Sequence, residues 1–450
     1  MSRKENIDIL EVNQPQVSFK YELDLVTSNG KKTDTLQMLS LFSGCGGMDL
    51  GFEGGFSVHE KSINPETHKR YIASSLGDNF IKLKETNFKT VFANDILDSA
   101  RKTWVNYFSK NKGHNAEIYH TESIVDLVKL HRDGAVNLFP EKIDLVTGGF
   151  PCQDFSIAGK RNGFKSNKNH VGEVIPENKA TEETRGQLYM WMKNVIEITT
   201  PKMFIAENVK GLVNLSNVKD IIQQDFSSIN TDGYLVLAPQ VLHSADYGVP
   251  QSRERVFFIG FKKSALKPKA LEELTKNNIS NAYNPYPSPT HSFTQNYPNT
   301  LKPVALQDIF SNLQEPEETN DLSQMYYSKA KFMGAHCQGQ IEVKLDSISP
   351  TIRAEHHGNI EFRRLSKKNG GQYISELEKG LKERRLTLRE CGLIQTFPPD
   401  FEFVIKNDYT GKGFTVSPSA AYKVVGNAVP PLLAYHLAIN IQNKWNLYFK

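Results

Sequence analysis

The sequence predicts an α/β fold: a doubly wound sheet with a second, smaller domain. Three observations lead to this prediction. Short apolar segments that suit buried parallel strands alternate with helical patterns as far as residue 262. A proline-rich stretch without any period, residues 281–303, then interrupts the alternation. Amphipathic segments return from residue 384, after a mixed segment that we interpret as the smaller domain.

The predicted strands are apolar runs of the length that strands usually have. They are LQMLSLFSG from Leu36, TVFAND (90–95), KIDLVTGG (142–149), PKMFIAEN (201–208) and RVFFIGF (255–261). Helices are predicted at SARKTWVNYF (99–108), QLYMWMKNVIEI (187–198), RRLTLRECGLIQTFP from residue 384, and near the C-terminus after a turn. This alternation divides the chain into a polar, flexible arm (1–36, with one short strand at VSFKYELDLV), a main domain (37–262), a smaller domain (263–383) and a segment that returns to the main domain (384–450).

Composition excludes several classes of protein. Of the 450 residues, 39% are hydrophobic and 23% are charged, which fits neither a membrane protein nor a disordered chain. No apolar run approaches the roughly 18 residues that cross a bilayer, so we expect a cytoplasmic protein without a membrane partner. The four cysteines lie far apart without a C-x-x-C pair, so we expect no metal site and no disulfide scaffold.

The net charge of +4 is compatible with an anionic partner but does not require one. Its source is local. Residues 361–390 hold nine Lys or Arg against five Glu, an excess equal to that of the whole chain.

A glycine-rich turn follows the first predicted strand and contains Phe42, Gly44, Gly46 and Gly47. Such a turn lets a ligand approach the backbone closely. It does not match the dinucleotide fingerprint, because the third glycine position falls on Asp49. The turn therefore favours a nucleotide-like cofactor other than a dinucleotide, with a purely structural turn as the alternative.

Two further strand ends carry candidate residues. Asp95 ends the second strand, where a carboxylate can bind ribose hydroxyls or cap the following helix. Cys152 follows the third strand in GGFPCQ, where a thiolate could act as a nucleophile, although an inert buried cysteine is the commoner case. The long polar loop from Gln153 to Thr184 comes directly after it and is interpreted as a lid.

Polar side chains also close the fourth strand and open the fifth. Glu207 ends an otherwise apolar strand, which is costly unless the carboxylate faces a cleft or a partner, and a helix cap is the alternative. Gln251, Arg253 and Arg255 alternate, so in an extended chain they share one face. Arginines in this arrangement bind carboxylates, phosphates or base edges, or form an ordinary salt-bridged surface.

Taken in order, these motifs resemble those of the DNA (cytosine-5)-methyltransferase family of bacterial restriction–modification systems. The resemblance covers about residues 37–262 and 384–435. It rests on FSGCGG, GGFPCQ, ENV (207–209), QSRER (251–255), RRLTLREC (384–391) and GNAVPP (426–431). It implies a Rossmann-like methyltransferase sheet in 37–262 and a target-recognition domain in 263–383.

The resemblance implies that the cofactor is S-adenosyl-L-methionine. Its binding residues would be Phe42, Gly44, Gly46, Gly47, Asp95, Ile96 and Asn427. Family members usually have Asp-Ile after the third strand of the fold, where this chain has Glu122-Ser123-Ile124, so an adenine contact through Glu122 is in doubt.

The resemblance also implies a chemistry. Cys152 would attack carbon 6 of a flipped-out cytosine, Glu207 would contact ring nitrogen 3, Arg255 would hold the ring carbonyl, and Arg253 would order Glu207. Phe150, Pro151, Gln251 and Thr351 would line the substrate site. Ala158 replaces a serine that enters the DNA in some members.

The expected partner is double-stranded DNA, and the enzyme is expected to be a monomer. A cognate endonuclease is expected to act on the same DNA site without contacting the enzyme. Arg364, Lys367 and Lys368 are expected to face DNA phosphates. The alternative is a tRNA cytosine-5 methyltransferase of the same fold. Its Cys-Phe-Thr element is missing here, since Cys337 lies in HCQG. A nicotinamide oxidoreductase and a non-catalytic DNA-binding protein are more distant rivals.

Overall fold

A mixed eight-stranded sheet positions the predicted motifs in the computed structural model. The structure describes residues 35–134, 138–151, 188–214, 218–294, 298–354, 359–407 and 412–450. The predicted strand at VSFKYELDLV and the loop Gln153–Thr184, with Cys152 and Ala158, lie outside these residues.

The regular elements take the following bounds. The described strands are β1 (Leu36–Leu41), β2 (Ser57–His59), β3 (Ile72–Gly77), β4 (Phe80–Leu83), β5 (Phe88–Asn94), β6 (Tyr119–His120), β7 (Leu145–Gly149), β8 (Met203–Val209), β9 (Tyr234–Val236), β10 (Gln240–His243), β11 (Glu254–Lys262), β12 (Phe362–Arg364), β13 (Arg384–Arg385), β14 (Ile405–Lys406) and β15 (Phe414–Val416). The described helices are α1 (Gly47–Glu53), α2 (Pro65–His68), α3 (Asp98–Lys112), α4 (Ile124–Arg132), α5 (Leu188–Thr199), α6 (Val218–Ser227), α7 (Pro268–Leu274), α8 (Leu306–Phe310), α9 (Leu322–Met325), α10 (Ile374–Glu378), α11 (Leu388–Ile394), α12 (Pro418–Asn427) and α13 (Pro431–Tyr448).

The central sheet runs in the order β10-β11-β8-β7-β1-β5-β6, and β9 also pairs with β11. The five strands from β8 to β6 are parallel, and the predicted strands are all present as β1, β5, β7, β8 and β11. The expectation that all are parallel is wrong for β11, which is antiparallel to β8. The reason is local, because β9 and β10 also pair with β11 in antiparallel fashion, so the chain turns back on itself there.

The topology places a binding crevice at one edge of the sheet. β1 lies between β5 and β7, so the chain moves outward from β1 in both directions. Ligands of open α/β sheets bind outside the carboxyl ends of the strands at such a switch point. The glycine turn after β1 and Glu207 near the end of β8 therefore lie at the edge where a site is expected.

The segment from residue 384 does not begin as a helix. Arg384–Arg385 form β13, which pairs with β12, and helix α11 begins only at Leu388. The boundary is set by a capping box, in which the Thr387 side chain accepts from the Glu390 N–H and the Glu390 side chain accepts from the Thr387 N–H. The sequence T-x-x-E is the signal that predicts this start.

The C-terminal segment packs on helix α1. A β-carbon on Gly51 of α1 would lie 2.4 Å from the Ala434 β-carbon of α13, so a glycine is needed for this close contact. Residues Leu36–Lys450 form one compact unit, and the boundaries at 262/263 and 383/384 stay predictions. Leu36 itself pairs with Phe88 in the sheet and so belongs to this unit rather than to the arm.

One stretch of the described residues is long and apolar enough by composition to cross a membrane. It is Pro418–Tyr448, which contains α12 and α13. Because 89% of its most apolar window is buried inside the protein, it forms part of the core. The sequence expectation that no apolar stretch reaches this length is therefore wrong, although the stretch is interrupted by the turn between the two helices.

Candidate active site

The glycine turn has an unusual backbone that its glycines permit. Gly44 and Gly46 have φ angles of 56° and 84°, in the left-handed region that favours glycine. The Gly44 N–H donates to Asp95 Oδ2 (3.0 Å), and the Gly44 carbonyl accepts from the Tyr119 hydroxyl (2.7 Å). The turn is thereby tied to the strands on its β5 side.

The turn also meets the C-terminal segment. A β-carbon on Gly47 would lie 2.2 Å from the Val429 carbonyl oxygen, and one on Gly46 would lie 2.5 Å from the Trp104 ring. A side chain at either position would require neighbouring atoms to move. Asn427, two residues before Val429, is exposed at the end of α12. The structure thus brings FSGCGG and GNAVPP together, as the resemblance implies.

Asp95 binds backbone N–H groups with both carboxyl oxygens; it does not cap α3, whose N-cap residue is Leu97, and its ribose contact stays a prediction. Its Oδ1 accepts from the Leu97 N–H (2.9 Å) just before α3, while its Oδ2 holds Gly44. Burial raises the pKa of Asp95, and these two backbone hydrogen bonds oppose the shift. Ile96, beside it, is 41% exposed, and its contact with adenine stays a prediction.

Phe42 and Glu122 take different positions. Phe42 is partly buried against the core and has a φ angle of 53°, which is rare for a residue with a side chain. The Glu122 side chain is 60% exposed, and its Oε2 lies 3.9 Å from His120 Nδ1. The carboxyl of Glu122 therefore faces solvent in this structure, in keeping with the doubt about its adenine contact.

The second half of the site is an ion pair between Glu207 and Arg255. The Arg255 Nε lies 2.8 Å from Glu207 Oε1, and the two side chains are 13% and 10% exposed, Arg255 being the more exposed. The antiparallel pairing of β8 with β11 brings the start of β11 to the carboxyl end of β8, so the two side chains meet. Burial raises the pKa of Glu207, while Arg255 and Arg253 oppose this shift.

The neighbouring strand β7 leaves room for the carboxylate. Gly149 pairs with Glu207 in the sheet, and a β-carbon on Gly149 would lie 2.8 Å from Glu207 Oε2. Chain residues 150 and 151 thus leave the sheet beside Glu207. Cys152, the predicted nucleophile, lies outside the described residues, so its role stays a prediction.

Phe150 and Pro151 differ in exposure. The Phe150 side chain is only 3% exposed and packs in the core with its ring 6.1 Å from that of Tyr189. Its carbonyl accepts from Asn208 Nδ2 (3.1 Å). Substrate contact through the Phe150 side chain has no support here, whereas Pro151 is partly exposed.

Arg253 and Gln251 bind together segments that are distant in sequence. Arg253, 1% exposed, donates to the carbonyls of Ile352 and Gly426, both at 3.0 Å. Gln251 is fully buried, accepts from the Ile352 N–H (2.9 Å) and donates to Gln395 (3.1 Å). Both side chains are engaged with the protein and position Ile352, and their roles in the catalytic and substrate sites stay predictions.

Thr351 completes this junction by donating a hydrogen bond to the Ser252 carbonyl. The alternating residues 251, 253 and 255 therefore do not all serve one ligand, as their shared face suggested. Two of them hold Ile352, Arg255 forms the ion pair with Glu207, and the charge of Arg253 also acts on Glu207.

Asp49 is one of several buried carboxyls that were not predicted from the sequence. Asp49 is fully buried below the glycine turn and accepts hydrogen bonds from Ser40 Oγ (2.5 Å) and Trp104 Nε1 (2.8 Å). Burial raises its pKa to about 7 against these two hydrogen bonds. The signal in the sequence was an acidic residue inside the otherwise apolar run GGMDLGF.

The basic stretch 361–390 is divided between the interior and the surface, which corrects the expected phosphate-facing patch at Arg364. Four of its arginines are buried, and the exposed members of the expected patch are Lys367 and Lys368. Arg364 and Arg384 both pair with Glu315, at 2.5 Å and 3.0 Å. Burial alone would raise the pKa of Glu315, but its hydrogen bonds to the two arginines lower it to about 2.

Comparison with known proteins agrees with this geometry. The family described as C-5 cytosine-specific DNA methylase matches residues 36–443. Type II methyltransferase M.BsuRI of Bacillus subtilis is 31% identical over 97% of this chain and 86% of its own length. M.MthTI of Methanothermobacter thermautotrophicus is 28% identical over 90% of this chain and 97% of its own.

A solved structure supports the fold. The S. pombe Dnmt2 methyltransferase is 14% identical in sequence, and its structure aligns with this one at a TM-score of 0.51. The alignment covers 91% of this chain and 99% of the S. pombe chain. The family, the α/β Rossmann-like fold and the enzyme class predicted from the sequence are confirmed. This chain belongs to the C-5 cytosine-specific DNA methylase family and is a DNA cytosine-5 methyltransferase of the type II restriction–modification kind.

Proposed function

We propose that this enzyme transfers a methyl group from S-adenosyl-L-methionine to carbon 5 of a cytosine flipped out of duplex DNA. The observation that carries the proposal is the buried Glu207–Arg255 pair, at the same sheet edge as the glycine turn. We further propose that it acts as a monomer in the bacterial cytoplasm. There it protects host DNA from a cognate endonuclease that it does not contact.

The residues of the turn fit the proposed methyl donor. S-adenosyl-L-methionine supplies a methyl group on a positively charged sulfonium. Gly44 leaves the backbone open to the amino-acid part, since nothing lies within 4 Å of where its β-carbon would be, whereas Gly47 packs closely on the Val429 carbonyl. The Asp95 carboxylate can accept hydrogen bonds from ribose hydroxyls, and the exposed Ile96 can pack on the adenine. Phe42 and Asn427 would close the site from either side.

The Glu207–Arg255 pair suits the pyrimidine ring of cytosine. A carboxyl whose pKa is raised can hold a proton for ring nitrogen 3 and accept from the exocyclic amine. Arg255 can donate to the ring carbonyl oxygen while it keeps Glu207 in place. The Cys152 thiolate would then bond to carbon 6, and carbon 5 would accept the methyl group. Loss of the carbon-5 proton would finally expel the thiolate.

Access to both ring faces requires the cytosine to leave the stacked duplex. In this proposal Thr351 and Pro151 contribute to the edge of the substrate site, because both are partly exposed near the junction. Gln251 and Arg253 act behind it as positioning residues, since their side chains are engaged with Ile352 and its neighbours.

Methyl transfer to matched substrates tests the proposal. We expect transfer of labelled methyl groups to duplex DNA, and loss of that transfer in Cys152→Ser with DNA binding retained. Cys391→Ser is the matched control, because Cys391 is a free cysteine buried in α11, outside the proposed cofactor and cytosine sites. Full activity of Cys152→Ser would refute the chemistry, and transfer to tRNA in place of DNA would establish the alternative substrate.

The protective role needs its own experiment. DNA from cells that express the chain should carry 5-methylcytosine at one recurrent sequence, which methylation mapping would identify. That DNA should also resist an endonuclease that cuts at this sequence. Methylation without sequence preference would contradict a restriction–modification role.

A further inference from the structure

We infer that Asp49 is a positioning residue for the methyl donor, and that its negative charge favours the cationic donor over the neutral product of methyl transfer. The inference rests on the proposed function and deepens it. S-adenosyl-L-methionine carries a sulfonium, and loss of its methyl group leaves a neutral thioether with the same adenosine and amino-acid parts. A charge beneath the glycine turn can therefore distinguish two ligands that otherwise differ by one methyl group.

Asp49 supports both flanks of the glycine turn. Its Oδ2 accepts from Trp104 Nε1 (2.8 Å), and the Trp104 ring lies against Gly46, where a β-carbon would be 2.5 Å from it. Its Oδ1 accepts from Ser40 Oγ (2.5 Å), which in turn accepts from the Ser43 hydroxyl (2.8 Å). Two residues of the turn, Ser43 and Gly46, are thus held through one buried carboxyl group.

Ser43 extends this support to the strand that ends beside Asp95. The Ser43 N–H donates to the Asn94 carbonyl (2.9 Å), and the Asn94 N–H donates to Ser43 Oγ (3.3 Å). The next residue, Asp95, accepts from the Gly44 N–H (3.0 Å). The network that begins at Asp49 therefore includes the backbone of the turn and of the proposed ribose site.

The charge of Asp49 is less firmly fixed than that of its neighbour Glu53. Both are buried on α1, one helical turn apart, but Glu53 lies 2.8 Å from His114 Nε2, whereas the hydrogen-bond partners of Asp49, Ser40 and Trp104, are neutral. Burial alone would raise the pKa of Glu53, but its interactions with His114 lower it overall. Burial raises the pKa of Asp49 to about 7 against its two hydrogen bonds, and the charge of Glu53 adds to the rise. Asp49 therefore changes charge near neutral pH, while Glu53 stays ionised.

Other titratable groups lie on the elements around α1. Burial raises the pKa of the Cys45 thiol and of the Tyr119 hydroxyl, so both stay neutral at neutral pH. The remaining groups are Lys89 of β5, Asp95 after β5, Lys112 of α3, His114 after α3 and Tyr435 of α13. A variant that changes Asp49 alone separates its titration from theirs.

Asp49→Asn removes the charge and can preserve the hydrogen bonds. The Trp104 N–H can only donate, so the amide oxygen must face Trp104 and the amide nitrogen must face Ser40. The Ser40 hydroxyl can then accept from the amide and donate to Ser43 Oγ, while the Ser43 hydroxyl donates to the Ser40 carbonyl, 3.1 Å away. Every group of the network keeps a partner, so we expect this variant to fold.

The experiment measures the affinities of the full chain for S-adenosyl-L-methionine and for its thioether product by calorimetry between about pH 6 and 8. For the wild type, the ratio of donor affinity to product affinity should rise with pH, roughly three- to tenfold, as Asp49 ionises. For Asp49→Asn the ratio should stay at its value in acid. Asp126→Asn is the matched control, because Asp126 is exposed on α4 and should leave the wild-type curve unchanged.

Ser40→Ala tests the same charge by a second route. Loss of a hydrogen bond to the carboxylate should raise the pKa of Asp49 further, so the rise in the affinity ratio should move to higher pH by about one unit. A rise at the wild-type pH would contradict the inference. If Asp49→Asn fails to fold, this shift decides the question.

The outcomes separate the inference from the function on which it rests. A wild-type enzyme that binds and uses the donor but shows the same ratio at every pH overturns the inference alone. An Asp49→Asn enzyme that binds both ligands more weakly yet keeps the wild-type rise would show that Asp49 only supports the turn. A wild-type enzyme that binds neither ligand overturns the proposed cofactor and the inference with it.

Discussion

Replacement of Glu207 by Gln isolates the contribution of its carboxyl group. The amide has nearly the same shape as the carboxyl, so the space beside Gly149 stays filled. What changes is the charge and the ability to hold or release a proton. The variant therefore tests whether Glu207 does chemistry or only holds Arg255, whose Nε lies 2.8 Å away.

The expected magnitudes follow from the pair's burial. A hydrogen bond to a charged partner contributes about 1.5–3 kcal/mol, but removal of a buried carboxylate also relieves its desolvation cost. We therefore expect the free energy of unfolding to change by less than about 2 kcal/mol. Loss of proton transfer at ring nitrogen 3 should slow methyl transfer roughly 10²–10⁴-fold, equal to about 3–5 kcal/mol in the barrier.

Single-turnover methyl transfer, followed across pH, provides the measurement. Burial keeps Glu207 protonated to higher pH than an ordinary glutamate, so the wild-type rate should fall as pH rises through that raised pKa. The amide cannot ionise, and this alkaline decline should vanish in the variant. Glu254→Gln is the matched control, because Glu254 is paired with Lys210 at a partly exposed site and its removal costs at most about 1 kcal/mol. A Glu207→Gln enzyme within about threefold of the wild-type rate would refute the assigned role.

Groups elsewhere in the chain give three more predictions. Burial holds the pKa of His436 well below its usual value, so this side chain stays neutral in the folded protein but is protonated in the unfolded chain below about pH 6.5, and the free energy of unfolding therefore decreases as pH falls. His436→Phe should remove about 1.4 kcal/mol per pH unit of this decrease between about pH 6.5 and 5, as measured by urea titration. If the free energies of unfolding of variant and wild type depend on pH in the same way, the prediction is contradicted. Gly47→Ala should lower the free energy of unfolding by about 1–3 kcal/mol and weaken binding of S-adenosyl-L-methionine, because the new β-carbon would lie 2.2 Å from the Val429 carbonyl oxygen. Thermal unfolding with and without the methyl donor measures both effects. An affinity equal to that of the wild type would show that the turn adapts to the new side chain. Neutralising the exposed Lys367 and Lys368 together should reduce the slope of log affinity for DNA against log salt concentration by about one unit for each of the two lysines that binds a phosphate. An unchanged slope would show that the two lysines belong to an ordinary solvated surface.

The sheet was largely predictable because its strands carry a local signal. Each of the five strands that the sequence predicted is an apolar run with most of its side chains buried, and such a run can be recognised without knowledge of its partners. The antiparallel direction of β11 had no such signal. Direction depends on the path of the preceding chain, here through the short strands β9 and β10, which the sequence did not reveal.

The residues of the candidate site were likewise predictable only in part from the sequence. The identity of Glu207 and of the glycine turn followed from their local sequence, and the structure places both at the predicted sheet edge. Gln251 and Arg253 also stood out, but their partner Ile352 lies about a hundred residues along the chain. A sequence pattern shows that such side chains need partners without showing which atoms will satisfy them.

The basic stretch shows the limit of charge counting. By itself the sequence determined that residues 361–390 carry the whole excess of positive charge. Only the tertiary structure decided that Arg364 and Arg384 are buried on Glu315, while Lys367 and Lys368 remain at the surface. The physical reason is that a guanidinium can be buried only where carboxylates or carbonyls meet it, and those partners come from distant parts of the chain that folding brings together.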